Sequence, residues 1–330
     1  MYHSLPRRNF IQQSATLISA LALAKAGAAP SSPAPVSAKL PRRRLGRTGM
    51  EISGLVFGAG KFFQELPDGQ WEPLVQRALE LGVNYFDEAS GYHFNKLNAH
   101  SETRLGQILP AHRKSVYVCT KLDQRDSELA KRELEGCLQR LRMDYVDVLM
   151  IHSITQKETD VGALEKGIYA QLRKWKATGV ARHIGFSTMM TDGPMTGKLI
   201  EVLDPDVTLM AISAAKHGSI AENALPAAKA RNTGFIAMKM LRDVVGKGPA
   251  SARELLHYGW SHPGVAALCV GHSSLQQLEE NAKTVHDLAR GIAALDRGAL
   301  ERKLAHLATP ETLSWVRPDY SDRGRDLGIA

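Results

Sequence analysis

The chain has 330 residues, of which 44% are hydrophobic, so it is long enough to bury one large core or two ordinary ones. Its formal net charge is +8, but the positive excess is spread along the chain rather than gathered in a long basic stripe, which disfavours a nucleic-acid surface. The three cysteines, Cys119, Cys137 and Cys269, are far apart and form no CxxC pair, so neither a disulfide framework nor a zinc site is suggested.

Residues 1–38 resemble a twin-arginine export signal followed by a linker. Arg7 and Arg8 precede Phe10 in "PRRNFIQ", an apolar run "ATLISALALA" follows, and "KAGAAP" offers an A-x-A-like cleavage site. The apolar run is shorter than the roughly 20 helical residues of a membrane span, although an amphipathic helix or a membrane anchor is the alternative. We therefore expect the export machinery as a partner, a periplasmic location, and no stable membrane span after cleavage.

Eight short apolar runs, each typical of a strand, alternate with longer helix-like segments from Leu45 onwards. Several runs are continuously apolar, as expected for parallel strands that are covered on both faces. The runs are "LVFGAG" (55–60), "NYFDEA" (84–89), "VYVCTKL" (116–122), "DVLMIHS" (147–153), "HIGFST" (183–188), "TLMAISA" (208–214), "TGFIAMKML" (233–241) and "AALCVGHSS" (267–274).

The segments between these runs show helical spacing of apolar residues. "WEPLVQRALELG" ends at Gly82, "YAQLRKWKATG" ends at Gly179, and "DSELAKRELEGCLQRLRM" has the same pattern. Eight strand–helix units at roughly 25–35-residue spacing predict an α/β fold of the (β/α)8 TIM-barrel type over residues 39–330. A dinucleotide-binding open sheet would carry G-x-G-x-x-G after its first strand, and "FGAGKFF" lacks the third glycine.

Polar residues close several of the apolar runs, where a barrel of this type places its functional groups. A single Lys or His at a strand end is usually a solvated cap, but four such residues on three consecutive strand ends are unusual. The second run ends in Asp87 with Tyr92 just beyond, the third contains Lys121 and the fourth contains His152.

These residues fall in sequence blocks that resemble the aldo-keto reductase family from about Arg43 to Thr284. The blocks are "RRLGRTGMEISGLVFGAG", "GVNYFDEASGY", "SETRLGQIL", "TKL", "DYVDVLMIHS", "GVARHIGFST" and "SHPGVAALCVGHSSLQQLEEN". The resemblance implies a parallel eight-stranded barrel with a C-terminal loop over its mouth. It also implies the reduction of an aldehyde or ketone by a catalytic tetrad of Asp87, Tyr92, Lys121 and His152.

The implied reaction needs these residue types. Hydride transfer to a carbonyl leaves negative charge on the oxygen, which a phenol with a reference pKa of about 10 can protonate only with help. A nearby lysine ammonium favours the ionised phenol, so Lys121 would lower the pKa of Tyr92 and Asp87 would keep Lys121 charged. His152 would donate a hydrogen bond to the substrate oxygen. The hydride comes from a nicotinamide, because no side chain supplies one.

The resemblance also implies where that nicotinamide cofactor binds. NADPH is the favoured form and NADH the alternative, and the mechanism asks for no metal. At the nicotinamide end Thr188 replaces the usual Asn, Met210 replaces the usual Gln, and Met238 stands where many members stack an aromatic ring. Gln277 replaces the Arg that commonly binds a 2′-phosphate. Glu280 and Asn281 match the adenine contacts of the family. The complete implied set is Ser187, Thr188, Met210, Met238, Gly271, His272, Ser273, Gln277, Glu280 and Asn281, with Ser274 closing the phosphate loop.

Two further segments depart from the family pattern or shape the pocket. Tyr92 is separated from Ser101 and Glu102 by "HFNKLNAH", a longer loop whose His93, Phe94 and His100 would line the pocket rim. The two histidines lack carboxylate or cysteine neighbours for a metal site, so solvated or substrate-facing side chains are favoured. In the C-terminal tail, Trp315 and Tyr320 are candidates for the substrate pocket or for plain packing.

Two other functions compete with a carbonyl reductase. A nicotinamide-binding redox sensor or regulatory subunit with little turnover would explain Met210 and Met238 equally well. A barrel hydrolase is disfavoured because no second carboxylate or metal cluster accompanies Asp87.

Overall fold

A closed barrel of eight parallel strands forms the centre of the structure, a computed structural model that describes residues 39–190, 192–291, 294–317, 320 and 322. The signal and linker predicted over residues 1–38 lie outside the described residues. The predicted (β/α)8 barrel is confirmed, and every predicted run contributes one barrel strand.

A short hairpin precedes the barrel, and a second hairpin follows the second barrel strand. The first pairs Arg42–Arg44 (β1) with Glu51–Ser53 (β2), and the second pairs His93–Phe94 (β5) with Ala99–His100 (β6). The barrel strands are Leu55–Gly58 (β3), Tyr85–Asp87 (β4), Tyr117–Leu122 (β7), Val146–Ile154 (β8), Ala181–Thr188 (β9), Val207–Ala211 (β10), Gly234–Met238 (β11) and Val265–Val270 (β12).

Each barrel strand pairs in parallel with the next one along the chain, and β12 pairs with β3 to close the sheet. Helices cross between consecutive strands, as parallel pairing requires. The helices are Lys61–Gln64 (α1), Trp71–Glu80 (α2), Ser101–Ile108 (α3), Ser127–Leu141 (α4), Val161–Leu164 (α5), Ala170–Ala177 (α6), Gly193–Leu203 (α7), Ile220–Arg231 (α8), Ala252–Trp260 (α9), Leu275–Ala289 (α10) and Arg297–Leu304 (α11).

Local sequence explains how these helices begin and end. The Asp126 side chain accepts hydrogen bonds from the backbone N–H groups of Glu128 and Leu129, which have no partner inside the first turn of α4. After α2 the chain turns at Gly82 with φ +86°, a conformation that favours glycine. The predicted stop of α2 at this glycine is therefore confirmed.

The first hairpin covers the amino-terminal ends of the barrel strands. Arg43 Nη1 donates to the carbonyl of Val265, the first residue of β12, at 2.9 Å, and its guanidinium stacks 3.3 Å from the centre of the Trp260 ring. Just before the hairpin, the Leu40 N–H donates to the Leu81 carbonyl in the turn that precedes β4. The opposite, carboxyl-terminal end of the barrel is thus the mouth at which polar side chains collect. No helix within the described ranges is long and apolar enough to cross a membrane.

Candidate active site

The predicted tetrad residues meet at the mouth of the barrel. Asp87 ends β4, Lys121 lies near the end of β7 and His152 near the end of β8, while Tyr92 follows β4 in the loop before β5. Parallel pairing of β4, β7 and β8 brings the three strand ends side by side. The structure therefore places together residues that are as much as 65 positions apart in the chain.

Lys121 and Asp87 form a buried ion pair. Lys121 Nζ donates to Asp87 Oδ2 at 2.7 Å and to the Glu88 carbonyl at 2.5 Å, and the two side chains are only 1% and 5% exposed. Burial lowers the pKa of Lys121 and the Asp87 carboxylate raises it, and the upward effect prevails. Lys121 is accordingly an ammonium group at neutral pH.

The phenol of Tyr92 lies between a cation and an imidazole. Lys121 Nζ is 5.2 Å from the centre of the Tyr92 ring, and the His152 ring is 5.5 Å away in an edge-on arrangement. Burial raises the pKa of Tyr92 well above its ordinary value, whereas the Lys121 ammonium acts to lower it. In the protein alone the effect of burial outweighs the expected effect of lysine, so Tyr92 carries its proton.

His152 has a partner that the sequence analysis did not identify. Its Nδ1 lies 2.6 Å from Asp123 Oδ1, and the His152 side chain is 1% exposed. Asp123 follows the end of β7 directly, two residues after Lys121. The strand-end rule that selected Lys121 would also have selected Asp123, had it been applied one residue beyond the strand.

A second carboxyl group, which the sequence analysis did not count beside Asp87, lies behind the ion pair. Glu88 is fully buried, and neither of its carboxyl oxygens has a hydrogen-bond partner in the described part of the chain. Burial, and then the neighbouring carboxylate of Glu102, raise the pKa of Glu88 well above its ordinary value. Burial thus favours the neutral form of the Glu88 carboxyl.

The C-terminal tail reaches the same mouth. Lys239 follows β11 with φ +65°, and its Nζ donates to both carboxylate oxygens of Asp322 at 2.7 and 3.0 Å. The Tyr320 hydroxyl also donates to Asp322, while the Asp322 N–H donates to Ser153 Oγ at 3.3 Å. Tyr320 and Trp315, the candidates for the substrate pocket or for plain packing, line a recess beside Ser153.

Of the residues implied for the nicotinamide, Ser187 is the best placed. Its Oγ accepts the backbone N–H of Ser153, next to His152, at 2.9 Å and keeps its own hydrogen for donation. Thr188 is more restricted, because its hydroxyl donates to the Ile154 carbonyl at 2.7 Å and accepts from the Met190 N–H at 2.9 Å. Met210 and Met238, on β10 and β11, are buried in the core.

The implied phosphate loop, Gly271 to Ser274, joins β12 to α10. Ser273 is exposed, and its N–H and hydroxyl both donate to Gln277 Oε1, at 3.0 and 2.9 Å, so Gln277 folds back over the loop. His272 instead turns into the core, 6.0 Å from the Phe57 ring, where burial lowers its pKa to about 3. The imidazole of His272 is therefore neutral and faces away from the exposed side of the loop.

Two residues implied for the adenine lie on α10. Glu280 is exposed and accepts from Gln276 Nε2 at 2.8 Å, whereas Asn281 is buried. Ser274 caps this helix by accepting the N–H of Gln277. Small residues before a capped helix of 15 residues fit the phosphates of a dinucleotide.

The lengthened loop after Tyr92 forms the second hairpin. His93 and His100 pair across it with ring centres 5.7 Å apart, and Phe94 pairs with Ala99. His100 Nε2 contacts the Ser90 carbonyl at 2.9 Å, and burial lowers its pKa to about 4. Among the residues that the structure describes, no group of three or more His, Cys, Asp or Glu side chains is arranged to hold a metal ion.

Comparisons with known proteins agree with this architecture. The chain is 26% identical over 323 residues to L-galactose dehydrogenase from Arabidopsis thaliana, covering 84% of this chain and 97% of that one. It is 36% identical over 123 residues to a probable voltage-gated potassium channel subunit beta from Oryza sativa subsp. japonica, about a third of either chain (33% and 36%). A holo-form aldo-keto reductase structure from Bacillus halodurans superposes with a TM-score of 0.64 at 18% identity, covering 87% of this chain and 99% of that one.

A further structure supports the same fold. A Pseudomonas aeruginosa protein assigned to the aldo-keto reductases superposes with a TM-score of 0.65 at 24% identity, covering 75% of this chain and 96% of that one. The aldo/keto reductase family model matches residues 54–243, more than half of the chain. Together with the eight-stranded barrel and the polar residues collected at its mouth, this match shows that the chain belongs to the aldo/keto reductase family.

Proposed function

We propose that this chain is a nicotinamide-dependent oxidoreductase that reduces an aldehyde or ketone to an alcohol. The observation that carries the proposal is the position of Tyr92, whose ring lies 5.2 Å from the Lys121 ammonium and 5.5 Å from the His152 ring. An acid, a cation that stabilises its conjugate base and an imidazole can together protonate and orient a carbonyl oxygen that receives a hydride.

The roles of the side chains follow from their contacts. Tyr92 carries its proton and donates it to the developing alkoxide oxygen, and Lys121 stabilises the phenolate that remains. Asp87 keeps Lys121 cationic and in place, while His152 hydrogen-bonds the substrate oxygen. When bound, the nicotinamide supplies the hydride. Since each tenfold gain in rate needs about 1.4 kcal/mol, two well-placed hydrogen-bond donors would be enough to supply several factors of ten.

The cofactor fits the mouth with some departures from the family pattern. The Ser187 hydroxyl would bind the carboxamide, and the loop before α10 would hold the phosphates through its main-chain N–H groups. The Thr188 hydroxyl donates to the main chain, so it would offer only a lone pair. We propose NADPH as the preferred form. NADH is the alternative, because Gln277 leaves the loop without the arginine that commonly binds the 2′-phosphate of NADPH.

A regulatory role is the second candidate function. The match to a potassium channel subunit beta favours it, although that match spans only about a third of either chain.

We also propose that the chain is exported by the twin-arginine route to the periplasm, on the basis of residues 1–38. Export in the folded state would suit a protein that binds its cofactor in the cytoplasm.

The test compares Tyr92→Phe with the wild-type protein. Bound nicotinamide is measured first, and NADPH and NADH oxidation is then followed with a panel of aldehydes and ketones. We expect Tyr92→Phe to lose nearly all turnover while cofactor binding persists. Tyr145→Phe serves as the matched control, because Tyr145 precedes β8 at the opposite end of the barrel. If wild type and Tyr92→Phe bind cofactor equally but neither turns over any carbonyl, the regulatory role is correct instead.

A further inference from the structure

His152 has a carboxylate against one edge of its ring. Asp123 Oδ1 lies 2.6 Å from Nδ1, and an ionised carboxylate can only accept a hydrogen bond, so the hydrogen in this contact belongs to Nδ1. Nε2 is on the opposite edge of the ring. With Nδ1 protonated, Nε2 carries a hydrogen only when the imidazole is cationic.

The position of Asp123 is fixed by its neighbours. Glu133 accepts the main-chain N–H groups of Asp123 and Gln124 at 2.9 and 3.0 Å. Arg125 donates to the Asp123 carbonyl at 3.2 Å and to the His152 carbonyl at 2.8 Å. One guanidinium thus joins the main chains of both partners, so their contact is pre-organised.

The inference rests on the proposed function. We propose that Asp123 is a positioning residue that keeps a hydrogen on Nδ1 of His152. Whether Nε2 donates or accepts a hydrogen bond then depends on the charge of the ring. In carbonyl reduction the cationic ring donates from Nε2 to the substrate oxygen. In alcohol oxidation the neutral ring presents a lone pair there. The other neutral tautomer would set the Nδ1 lone pair against the Asp123 carboxylate and would lose a charge-assisted hydrogen bond.

Other ionisable and charged groups surround the ring or its main chain. Asp123 bonds directly to a ring nitrogen, so it decides which nitrogen holds a hydrogen, whereas the surrounding charges act on how readily the ring is protonated. These surrounding groups are Tyr92 in the loop after β4, Lys121 behind it, Asp322 from the tail, and the Arg125–Glu158 ion pair on the main-chain side.

The first test is the pH profile of Asp123→Asn, whose neutral amide can donate to Nδ1 and so allows a neutral ring with hydrogen on Nε2. In the wild type we expect kcat/KM for reduction to fall about tenfold per pH unit once the ring loses its proton. Over the same pH range, kcat/KM for reduction by Asp123→Asn should change by less than about threefold. Alcohol oxidation by this variant should slow about tenfold, because its neutral ring no longer offers an acceptor at Nε2. Asp123→Glu, which keeps a carboxylate, should retain the wild-type slope.

The matched control is Asp126→Asn, on the same segment. Asp126 caps α4 on the exposed side, and asparagine caps helices equally well, so this variant should keep the wild-type profile. An unchanged slope in Asp123→Asn, in an enzyme whose turnover depends on Tyr92, would overturn the inference and leave the proposed function intact.

The second test reads the tautomer directly and needs no turnover. Nitrogen-15 NMR of histidine-labelled protein, with the His152 signals assigned from His152→Gln, should show the neutral ring protonated at Nδ1 in the wild type and at Nε2 in Asp123→Asn. A neutral wild-type ring that carries its single hydrogen on Nε2 overturns the inference, even if Asp123→Asn does not fold. If no carbonyl is reduced at all, the proposed function fails, and this spectrum still decides the role of Asp123.

Discussion

Removing one member of the buried Lys121–Asp87 pair should destabilise the barrel far more than replacing both. The two side chains are 1% and 5% exposed and 2.7 Å apart, so Lys121→Met leaves a buried carboxylate without its cation. Asp87→Asn likewise leaves the ammonium with the Glu88 carbonyl as its partner. Each single variant should therefore lose about 3–5 kcal/mol of the free energy of unfolding.

The double variant should recover most of this loss, because it buries two neutral side chains in place of two charges. Replacing a whole buried pair by neutral groups is often close to neutral in stability, so we expect a loss of about 0–2 kcal/mol and a coupling of several kcal/mol. Urea unfolding of the wild type, the two single variants and the double variant, monitored by tryptophan fluorescence, completes this double-mutant cycle. Reductase activity should be lost in all three variants, because each lacks a charge that supports Tyr92.

One result would refute this reasoning. If the double variant loses the sum of the two single losses within about 0.5 kcal/mol, the two side chains do not interact. A double variant that is both stable and active would show that the pair has no part in the reaction.

Three further predictions concern buried ionisable groups. Because burial raises the pKa of Glu88, the contribution of Glu88 to stability is complete below about pH 4.5 and declines as the pH rises. Glu88→Gln should therefore unfold at a higher urea concentration than wild type at pH 8, and this difference should be smaller at pH 5. Because burial lowers the pKa of His272 from 6.5 to about 3, its contribution to stability is complete above pH 6.5 and declines as the pH falls, by about 2 kcal/mol at pH 5. In urea titrations, His272→Leu should therefore lose less free energy of unfolding than wild type between pH 7.5 and 5. Exposed His306→Leu is the control. Asp322→Asn leaves the nearly buried Lys239 ammonium without its carboxylate, so we expect a loss of about 3 kcal/mol in thermal unfolding, and an unchanged midpoint would contradict an anchoring role for the pair.

The barrel could be predicted because its strands and helices show short-range patterns, whereas the four tetrad positions were assigned from the polar strand ends and from the family resemblance. Each strand is an apolar run bounded by helix-like sequence, and Lys121 and His152 are the polar residues that interrupt such runs near their ends. The contact between His152 and Asp123 was missed because the two residues are 29 positions apart. Their pairing depends on which strands lie side by side and on the path of the loop after β7, which no local periodicity encodes.

Other contacts at the site could not be predicted from the sequence for similar reasons. Lys239 and Asp322 are 83 positions apart, and the tail that carries Asp322 has no periodic apolar pattern to indicate where it packs. The inward turn of His272 was equally hidden, because a loop sequence does not show which of its side chains enters the core. The effect of burial on Tyr92 also required the structure, since the residues alone show only that a lysine is near.

The hairpin of β1 and β2 has a practical consequence for handling the protein. It lies over the amino-terminal ends of the barrel strands, where Arg43 is bound to Val265 and Trp260, so the chain enters the barrel at the end opposite Tyr92. A fusion partner or a surface linker joined just before Lys39 would therefore leave from that closed end. Protein immobilised in this way should keep its mouth open to substrate, whereas attachment near Asp322 would place the linker beside it.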